Sequence, residues 1–140
     1  MIPYLPAELP RFVPGRDDAP WWEALRRREL VVQRCADCGS WRHPPGPVCP
    51  ACHSARSAFE RVSGRGRVFS YTIIHHAVHP ALADRVPYNV VLVELPDAGN
   101  VRIISNLVDV PPEEVRVGLE VEVVFEEVDA DLTLPRFRCS

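Results

Sequence analysis

Residues 64 to 140 alternate between apolar and polar positions with a period of two, which is typical of strands with one buried face. The pattern predicts five strands: "GRGRVFSYTII", "YNVVLVEL", "VRIISNLVDV", "LEVEVVFEEV" and "LTLPRFR". "PDAGN" predicts a hairpin turn between the second and third strands, and "PPEEVRVG" predicts one helical turn between the third and fourth. Five strands with a helical connection at this place fit a small closed barrel of the OB type.

The fourth predicted strand also sets an expectation about its two faces. Val121, Val123 and Phe125 fall on one face of the strand, and three glutamates fall mainly on the other. The glutamate face is therefore expected to meet solvent, and its members are Glu120, Glu122 and Glu126.

The first twenty residues have a proline every few positions, which favours an extended arm that packs poorly on itself. The arm carries apolar side chains that need burial, either on a partner subunit or on the chain's own domain, and the sequence leaves both open. These residues are Tyr4, Leu5, Leu9, Phe12 and Val13.

A helix is predicted after the arm, in "WWEALRRREL". Asp17 or Asp18 can cap it, and Pro20 suits its first turn. Its apolar patch consists of Trp21, Trp22 and Leu25, with Arg26, Arg27 and Arg28 mostly outside the patch.

Two Cys-x-x-Cys pairs, Cys35/Cys38 and Cys49/Cys52, lie between the predicted strands "LVVQR" and "SAFERVS". Each pair can form a tight knuckle, and the spacer of ten residues rich in proline and glycine can bring both pairs to one point. Four thiolates at one point suit tetrahedral zinc, in a closed site with a structural role. A redox dithiol needs only one such pair, and two disulfides would need an oxidising compartment. His43 and His53 are interpreted as surface residues, because four sulfurs already complete the zinc shell.

The composition agrees with a soluble protein, with 46% apolar and 25% charged residues among 140. No signal-like start and no apolar run of about 20 residues are present, so the expected location is the cytoplasm. All sixteen basic residues are arginine, which excludes a Schiff base on a lysine of this chain. Residues 1 to 63 carry nine arginines against seven acids, whereas residues 64 to 140 carry seven against twelve.

The chain is thus predicted to be mainly β, with an extended arm at 1–18, a helix plus zinc ribbon at 19–63 and a five-stranded OB-fold barrel at 64–140. The order of arm, tryptophan-containing helix, "LVVQRCADCGSWRHPPGPVCPACHS", "GRGRVFSYTIIH", "PYNVVLVEL" and "VGLEVEVVFEEV" resembles the acyl-CoA-associated family of rubredoxin-like zinc-ribbon and OB-fold proteins, long described as a domain of unknown function.

This resemblance implies an accessory role in CoA-thioester metabolism, as a small subunit or fused domain beside thiolase-superfamily enzymes. These enzymes include lipid-transfer-type thiolases that act as aldolases (lyases) on steroid side chains; MaoC-type hydratases are another implied partner. Cys35, Cys38, Cys49 and Cys52 match the family's metal-binding positions, and no catalytic residue carries over. Candidate contacts to the CoA phosphates are Arg26, Arg27, Arg28, Arg65 and Arg67.

Two other function classes remain open alternatives. Single-stranded nucleic-acid binding would need a positive groove and aromatic platforms on the second and third barrel strands, but the barrel half is acidic and residues 88 to 108 hold one aromatic residue, Tyr88. Independent catalysis would use the connection "HHAVHPALADRVPYN", with His75, His76, His79, Asp84 and Tyr88. Cys139 is interpreted as a free thiol near the C-terminus.

Overall fold

The computed structural model describes residues 4–10 and 12–140. These residues form one short α-helix and two antiparallel sheets of three and five strands. One cluster of buried apolar side chains runs from the helix and the small sheet into the large sheet, and it includes Leu25, Val32, Val93 and Phe137. The predicted mainly β fold, with a ribbon followed by an OB-type barrel, is confirmed.

The ribbon follows a single helix, α1 (Ala19–Arg26), which buries Trp21, Ala24 and Leu25. It ends earlier than predicted, because Arg28 adopts a left-handed conformation with φ 59° and turns the chain into the first strand. The three-stranded sheet has the order β2-β1-β3 and consists of β1 (Val31–Cys35), β2 (Trp41–Arg42) and β3 (Ser57–Arg61).

The barrel sheet has the order β6-β5-β4-β7-β8, with all neighbours antiparallel. Its strands are β4 (Arg65–Ile74), β5 (Tyr88–Leu95), β6 (Val101–Ser105), β7 (Glu120–Asp129) and β8 (Leu132–Cys139). Alternate residues of β5 are buried, as a strand on a barrel wall requires. A short 3-10 helix, Pro112–Glu114, lies between β6 and β7, where the sequence predicts one helical turn.

The barrel closes where the chain after β6 meets β8. Leu107 and Phe137 form a parallel bridge, and Val108 N–H donates to the Phe137 carbonyl at 2.8 Å. The buried side chain of Asn89 holds this closure, because its Oδ1 accepts from Leu107 N–H at 2.7 Å and its Nδ2 donates to the Leu107 carbonyl at 2.9 Å. One side-chain amide thus replaces a pair of strand hydrogen bonds.

The ribbon and the barrel meet at a close joint around Trp41. Gly99, which has φ 63°, lies so near the indole that an added Cβ would come within 2.8 Å of Trp41 Cδ1. One further bond crosses nearby, in which Ser63 N–H donates to Asp97 Oδ2 at 2.9 Å. The joint needs glycine at position 99.

The described part of the arm lies on the chain's own fold, which is one of the two arrangements that the sequence leaves open. Tyr4 N–H donates to Glu126 Oε1 at 2.6 Å, and the Tyr4 hydroxyl accepts from Asn89 N–H at 3.1 Å. Farther along the arm, the ring of Phe12 lies 4.5 Å from that of Trp22.

This arm overturns the expectation that Glu126 meets solvent. Phe125 packs against the core, so the next residue, Glu126, points outward as predicted; yet its side chain is only 3% exposed. Arg136 of β8, 8% exposed, donates to Glu126 Oε2 from Nε at 3.2 Å and from Nη2 at 3.1 Å. The predicted alternation of β7 is correct, but the N-terminal arm covers Glu126.

Candidate metal centre and binding surfaces

The four cysteines of the two knuckles converge on one point. Their Sγ atoms all lie within 4.8 Å of one another, with Cys35 and Cys52 at 3.6 Å and Cys38 and Cys49 also at 3.6 Å. A tetrahedral zinc with Zn–S bonds of about 2.3 Å separates its sulfurs by about 3.8 Å. The separations are far longer than the roughly 2.05 Å of a disulfide. The quartet therefore fits one structural zinc ion.

Both knuckles have the same backbone geometry. Cys35 N–H donates to the Ser40 carbonyl at 2.8 Å, and Gly39 N–H returns to the Cys35 carbonyl at 3.1 Å. In the second knuckle, Cys49 N–H donates to the Ser54 carbonyl at 2.9 Å, and His53 N–H returns to the Cys49 carbonyl at 2.8 Å. The residue after each pair has positive φ, 77° at Gly39 and 66° at His53. This repeat fixes the positions of the sulfurs.

The surroundings of two of the four sulfurs favour the thiolate form that binds metal. The backbone N–H of Cys38 points at Cys35 Sγ from 3.5 Å and lowers the pKa of the Cys35 thiol to about 6. The hydroxyl and backbone N–H of Ser40 lower the pKa of the Cys38 thiol. At Cys52 the backbone N–H of Ser54 lowers the pKa of the thiol, but hydrogen bonds with the other three cysteines outweigh it, and the pKa is raised.

An ionic bridge ties the first knuckle to the second. The guanidinium of Arg56 and the hydroxyl of Ser54 both donate to the carboxylate of Asp37, and together they hold the pKa of Asp37 below its usual range. Ala36 N–H also donates to the Arg56 carbonyl at 3.0 Å. The bridge closes the outer side of the cluster, where Cys38 and Cys52 are exposed.

The two nearby histidines differ from each other. His53 is exposed, as predicted. The prediction is wrong for His43, which is half-buried with its ring 5.2 Å from that of Trp21 and its Nδ1 without a hydrogen-bond partner. Burial lowers the pKa of His43 to about 4. This ring therefore serves the packing between ribbon and helix as a neutral group.

The five candidate arginines fall into two separate places. Arg26, Arg27 and Arg28 lie exposed at the end of α1, where Arg27 pairs with Glu29 at 3.5 Å and Arg28 with Glu127 at 3.7 Å.

The remaining two arginines, Arg65 and Arg67, line one groove of about 330 Å³ at the start of β4, beside Pro96 and Val121. Arg67 pairs there with Glu94 at 3.1 Å.

In the connection between β4 and β5, Asp84 and Tyr88 line a groove of about 510 Å³ whose lining includes none of the histidines. His75 and His76 are exposed, while His79 Nδ1 accepts from Ala81 N–H at 3.1 Å and caps a short 3-10 helix, Pro80–Leu82. The helical arrangement that would pair His75 with His79 is absent from this described segment. Cys139 is an exposed free thiol at the end of β8.

Sequence reasoning missed an exposed apolar surface on the barrel, which we call the β4–β6 face. It includes Phe69 and Ile104, which are 40% and 73% exposed. Arg102 lies over the Phe69 ring at 3.6 Å from its centroid, and Leu92 pairs with Ile104 across the strands. The sequence does hold a signal for this face in the adjacent residues Ile103 and Ile104. Neighbouring residues of a strand point to opposite sides, so one of the two isoleucines must point away from the barrel interior.

A groove of about 380 Å³ extends the β4–β6 face toward the ribbon. Its walls come from α1, the proline loop after β2, and strands β5 and β6. The lining residues are Asp18, Trp21, Trp22, His43, Pro44, Pro45, Leu92, Arg102, Ile103 and Ile104.

The fold and the sulfur quartet together define a zinc-ribbon protein with an OB-fold barrel. Comparison with family models agrees with both parts, since the ChsH2 rubredoxin-like zinc ribbon domain matches residues 22–59 and the ChsH2 C-terminal OB-fold domain matches residues 59–126. A DUF35 domain-containing scaffold protein of Methanocaldococcus jannaschii is 33% identical over 113 residues, which cover 79% of this chain and 77% of the relative. The chain belongs to the DUF35 family.

Two further matches are closer in sequence. A solved structure described as "Ltp2-ChsH2(DUF35) aldolase" contains a chain with 44% identity and a TM-score of 0.83, with 92% of this chain and 98% of that one covered. A probable enoyl-CoA hydratase alpha subunit of Thermomonospora curvata is 45% identical over 129 residues. That match covers 92% of this chain but only 39% of the relative's length.

Among the described residues, no helix has the length and apolar character that a membrane crossing requires.

Proposed function

We propose that this chain is a non-catalytic, zinc-stabilised subunit that docks onto a thiolase-superfamily enzyme and helps form its acyl-CoA site. In this proposal Cys35, Cys38, Cys49 and Cys52 hold the metal, which supplies a rigid fold for the ribbon when bound. Four sulfurs leave no coordination position for substrate. The reaction, including a retro-aldol cleavage of a steroid side chain, belongs to the partner enzyme.

The observation that supports docking best is the β4–β6 face. Exposed apolar surface beside aromatic and arginine side chains is typical of the centre of a protein interface. The similar chain in the solved structure belongs to an aldolase whose description gives two components, Ltp2 and ChsH2, and this agrees with a docking role. The groove between the proline loop and β6 would extend the contact toward the ribbon, so a folded ribbon would be needed for the full interface.

The docking test is co-expression with the thiolase-superfamily protein encoded nearby, followed by size-exclusion chromatography with mass measurement. We expect a stable complex and turnover only in the complex. Ile104→Asp should weaken the complex at least tenfold, because it places a charge in the apolar contact. Val117→Asp, at a 64% exposed apolar position outside the face, is the matched control and should change little. Elution of the chain alone, with turnover of an acyl-CoA, would contradict the proposal.

Direct CoA contact is the finer part of the proposal, and Arg65 with Arg67 supports it best. Their groove offers two guanidinium groups for phosphate and the apolar Pro96 and Val121 for the pantetheine arm. Asp97 and Glu120 also line it and would oppose a phosphate. A phosphate would compete with Glu94 for Arg67. The three arginines of α1 form the second candidate cluster, farther along the surface.

Calorimetric titration of the complex with CoA separates the two arginine clusters. The double variant Arg65→Ala/Arg67→Ala should weaken CoA binding at least tenfold if the groove holds the phosphates. The triple variant at Arg26, Arg27 and Arg28 should then change binding less than threefold. If the triple variant weakens CoA binding more than the double variant, the contact lies at α1. If neither variant changes CoA binding, neither arginine cluster belongs to the CoA site.

A MaoC-type hydratase is the second candidate partner. The hydratase alpha subunit of Thermomonospora curvata favours it, because a region of that longer protein resembles 92% of this chain. The same co-expression with a neighbouring MaoC-type protein tests this candidate, and the partner that co-elutes identifies the complex.

A further inference from the structure

The N-terminal arm spans a cavity on the outer face of β7 and β8, and this cavity belongs to neither the zinc site nor the docking face. Its volume is about 210 Å³. Leu5, Leu9 and Phe12 of the arm line one side, and Leu132 and Leu134 lie among the residues on the other. Prolines 6 and 10 restrict the backbone of the arm and hinder its collapse onto the strands.

The arm is anchored on both sides of the cavity. At one end, Tyr4 binds Glu126 and the backbone of Asn89, and burial raises the pKa of its phenol. At the other end, the ring of Phe12 packs against that of Trp22 in a tilted arrangement, with 4.5 Å between ring centroids. A segment fixed at both ends keeps the space beneath it open.

Charge inside the cavity is already neutralised. Glu126 and Arg136 line it, but they bind each other, and the remaining Nη1 of Arg136 donates to Asn106 Oδ1. A ligand would therefore meet mostly hydrocarbon. Native interiors rarely keep such space empty, and an engineered apolar cavity of about 150 Å³ stays dry and takes up benzene.

We propose that the cavity beneath the arm binds a short aliphatic chain, of about six to ten carbons by comparison with the benzene-binding cavity. A fused steroid ring system is too large for it. The aliphatic chain could arrive as a free lipid or as the acyl group of a thioester, and these sources share the same hydrocarbon chemistry. The inference does not depend on docking, because it concerns the isolated subunit.

The test is a titration of the zinc-loaded full chain with straight-chain alcohols of six to ten carbons, followed through leucine methyl resonances in NMR spectra. We expect saturable shifts at Leu9, Leu132 and Leu134. Leu134→Trp, which fills the cavity, should weaken binding at least tenfold. Val117→Ser, at a 64% exposed position that lines neither this cavity nor the β4–β6 face, should leave the affinity within twofold of the parent.

A second variant keeps the test decisive if the tryptophan perturbs the fold. Leu134→Ala enlarges the cavity and should shift the preferred alcohol to a longer chain. Parallel titrations with octanol and octanoyl-CoA identify the source: equal sensitivity to Leu134→Trp supports delivery as a thioester, and sensitivity of octanol alone supports a free lipid. The absence of saturable binding across the alcohol series, or binding that no change at Leu134 alters, would overturn the proposal.

Discussion

The ribbon and the barrel are stabilised in different ways. Between Ala36 and Arg61, Cys49 is the only buried residue, so this stretch has almost no apolar core of its own. In contrast, β5 buries every second residue, and Val91, Val93 and Leu95 are at most 1% exposed. The comparison shows that a metal can replace a hydrophobic core where a small module must present a fixed surface.

Removing the metal should have the largest effect, and it should be confined to the ribbon. We expect Cys49→Ser to abolish zinc binding and unfold residues 36–61, because structural zinc supplies on the order of 10 kcal/mol to such modules. Metal analysis and amide NMR spectra check this, with barrel signals from β5 retained. Cys139→Ser is the matched control and should keep one zinc per chain. A ribbon that stays folded without metal would contradict the claim that zinc replaces a hydrophobic core there.

The barrel should depend instead on its buried contacts, including the ion pair under the arm. Glu126→Ala should lower the free energy of unfolding by about 3–5 kcal/mol, because Arg136 is then left buried without its partner. Chemical denaturation measures this change.

The pair Glu122 and Arg138, opposite each other on the same two strands at 2.8 Å, is the exposed control. Glu122→Ala should lower the free energy of unfolding by no more than about 1 kcal/mol. Equal effects at the two sites would mean that the arm does not exclude water from Glu126.

The joint between the two modules can be loosened at Gly99. Gly99→Ala should lower the free energy of unfolding by about 1–3 kcal/mol through overpacking against Trp41, in addition to the strain of a positive φ. Gly118→Ala separates these effects, because Gly118 has φ 91° but no heavy atom within 4 Å of an added Cβ. Thermal denaturation of both variants should show the larger loss at Gly99.

At neutral pH the smallest expected effect is that of His43, which influences stability only as the pH falls. Its folded pKa of about 4 lies below the usual 6.5, so the unfolded chain takes up a proton first as the pH falls. Stability should be unaffected by this group above pH 6.5, fall between 6.5 and about 4, and become level below that range.

Unfolding measured against pH checks the His43 prediction, with metal content followed in parallel. His43→Phe should flatten this part of the profile. Unchanged slopes in the parent and the variant would assign the pH dependence to other groups.

The sequence predicted most of the fold because short-range patterns determine it. The alternation in β5 and β7 and the two Cys-x-x-Cys pairs are local signals, and the ribbon, the barrel and the zinc site followed from them. The strand β2 was missed because Trp41–Arg42 has only two residues and no periodicity. The third barrel strand, "VRIISNLVDV", was predicted too long, because its pairing with β5 ends at Ser105.

The burial of Glu126 and His43 could not be predicted from the local pattern. Glu126 is buried by contact with Tyr4, 122 residues away, and His43 by packing against Trp21. Both depend on tertiary contacts that periodicity does not encode. The same reason applies to the β4–β6 face, whose members come from different strands.

X-ray absorption spectroscopy at the zinc edge, on the purified chain and on its complex with the partner enzyme and substrate, tests the central claim most directly. The account predicts four sulfur neighbours at about 2.3 Å in every sample, because a saturated ion builds the docking module without taking part in the reaction. An oxygen or nitrogen neighbour, or a shell that changes when substrate is added, would contradict it.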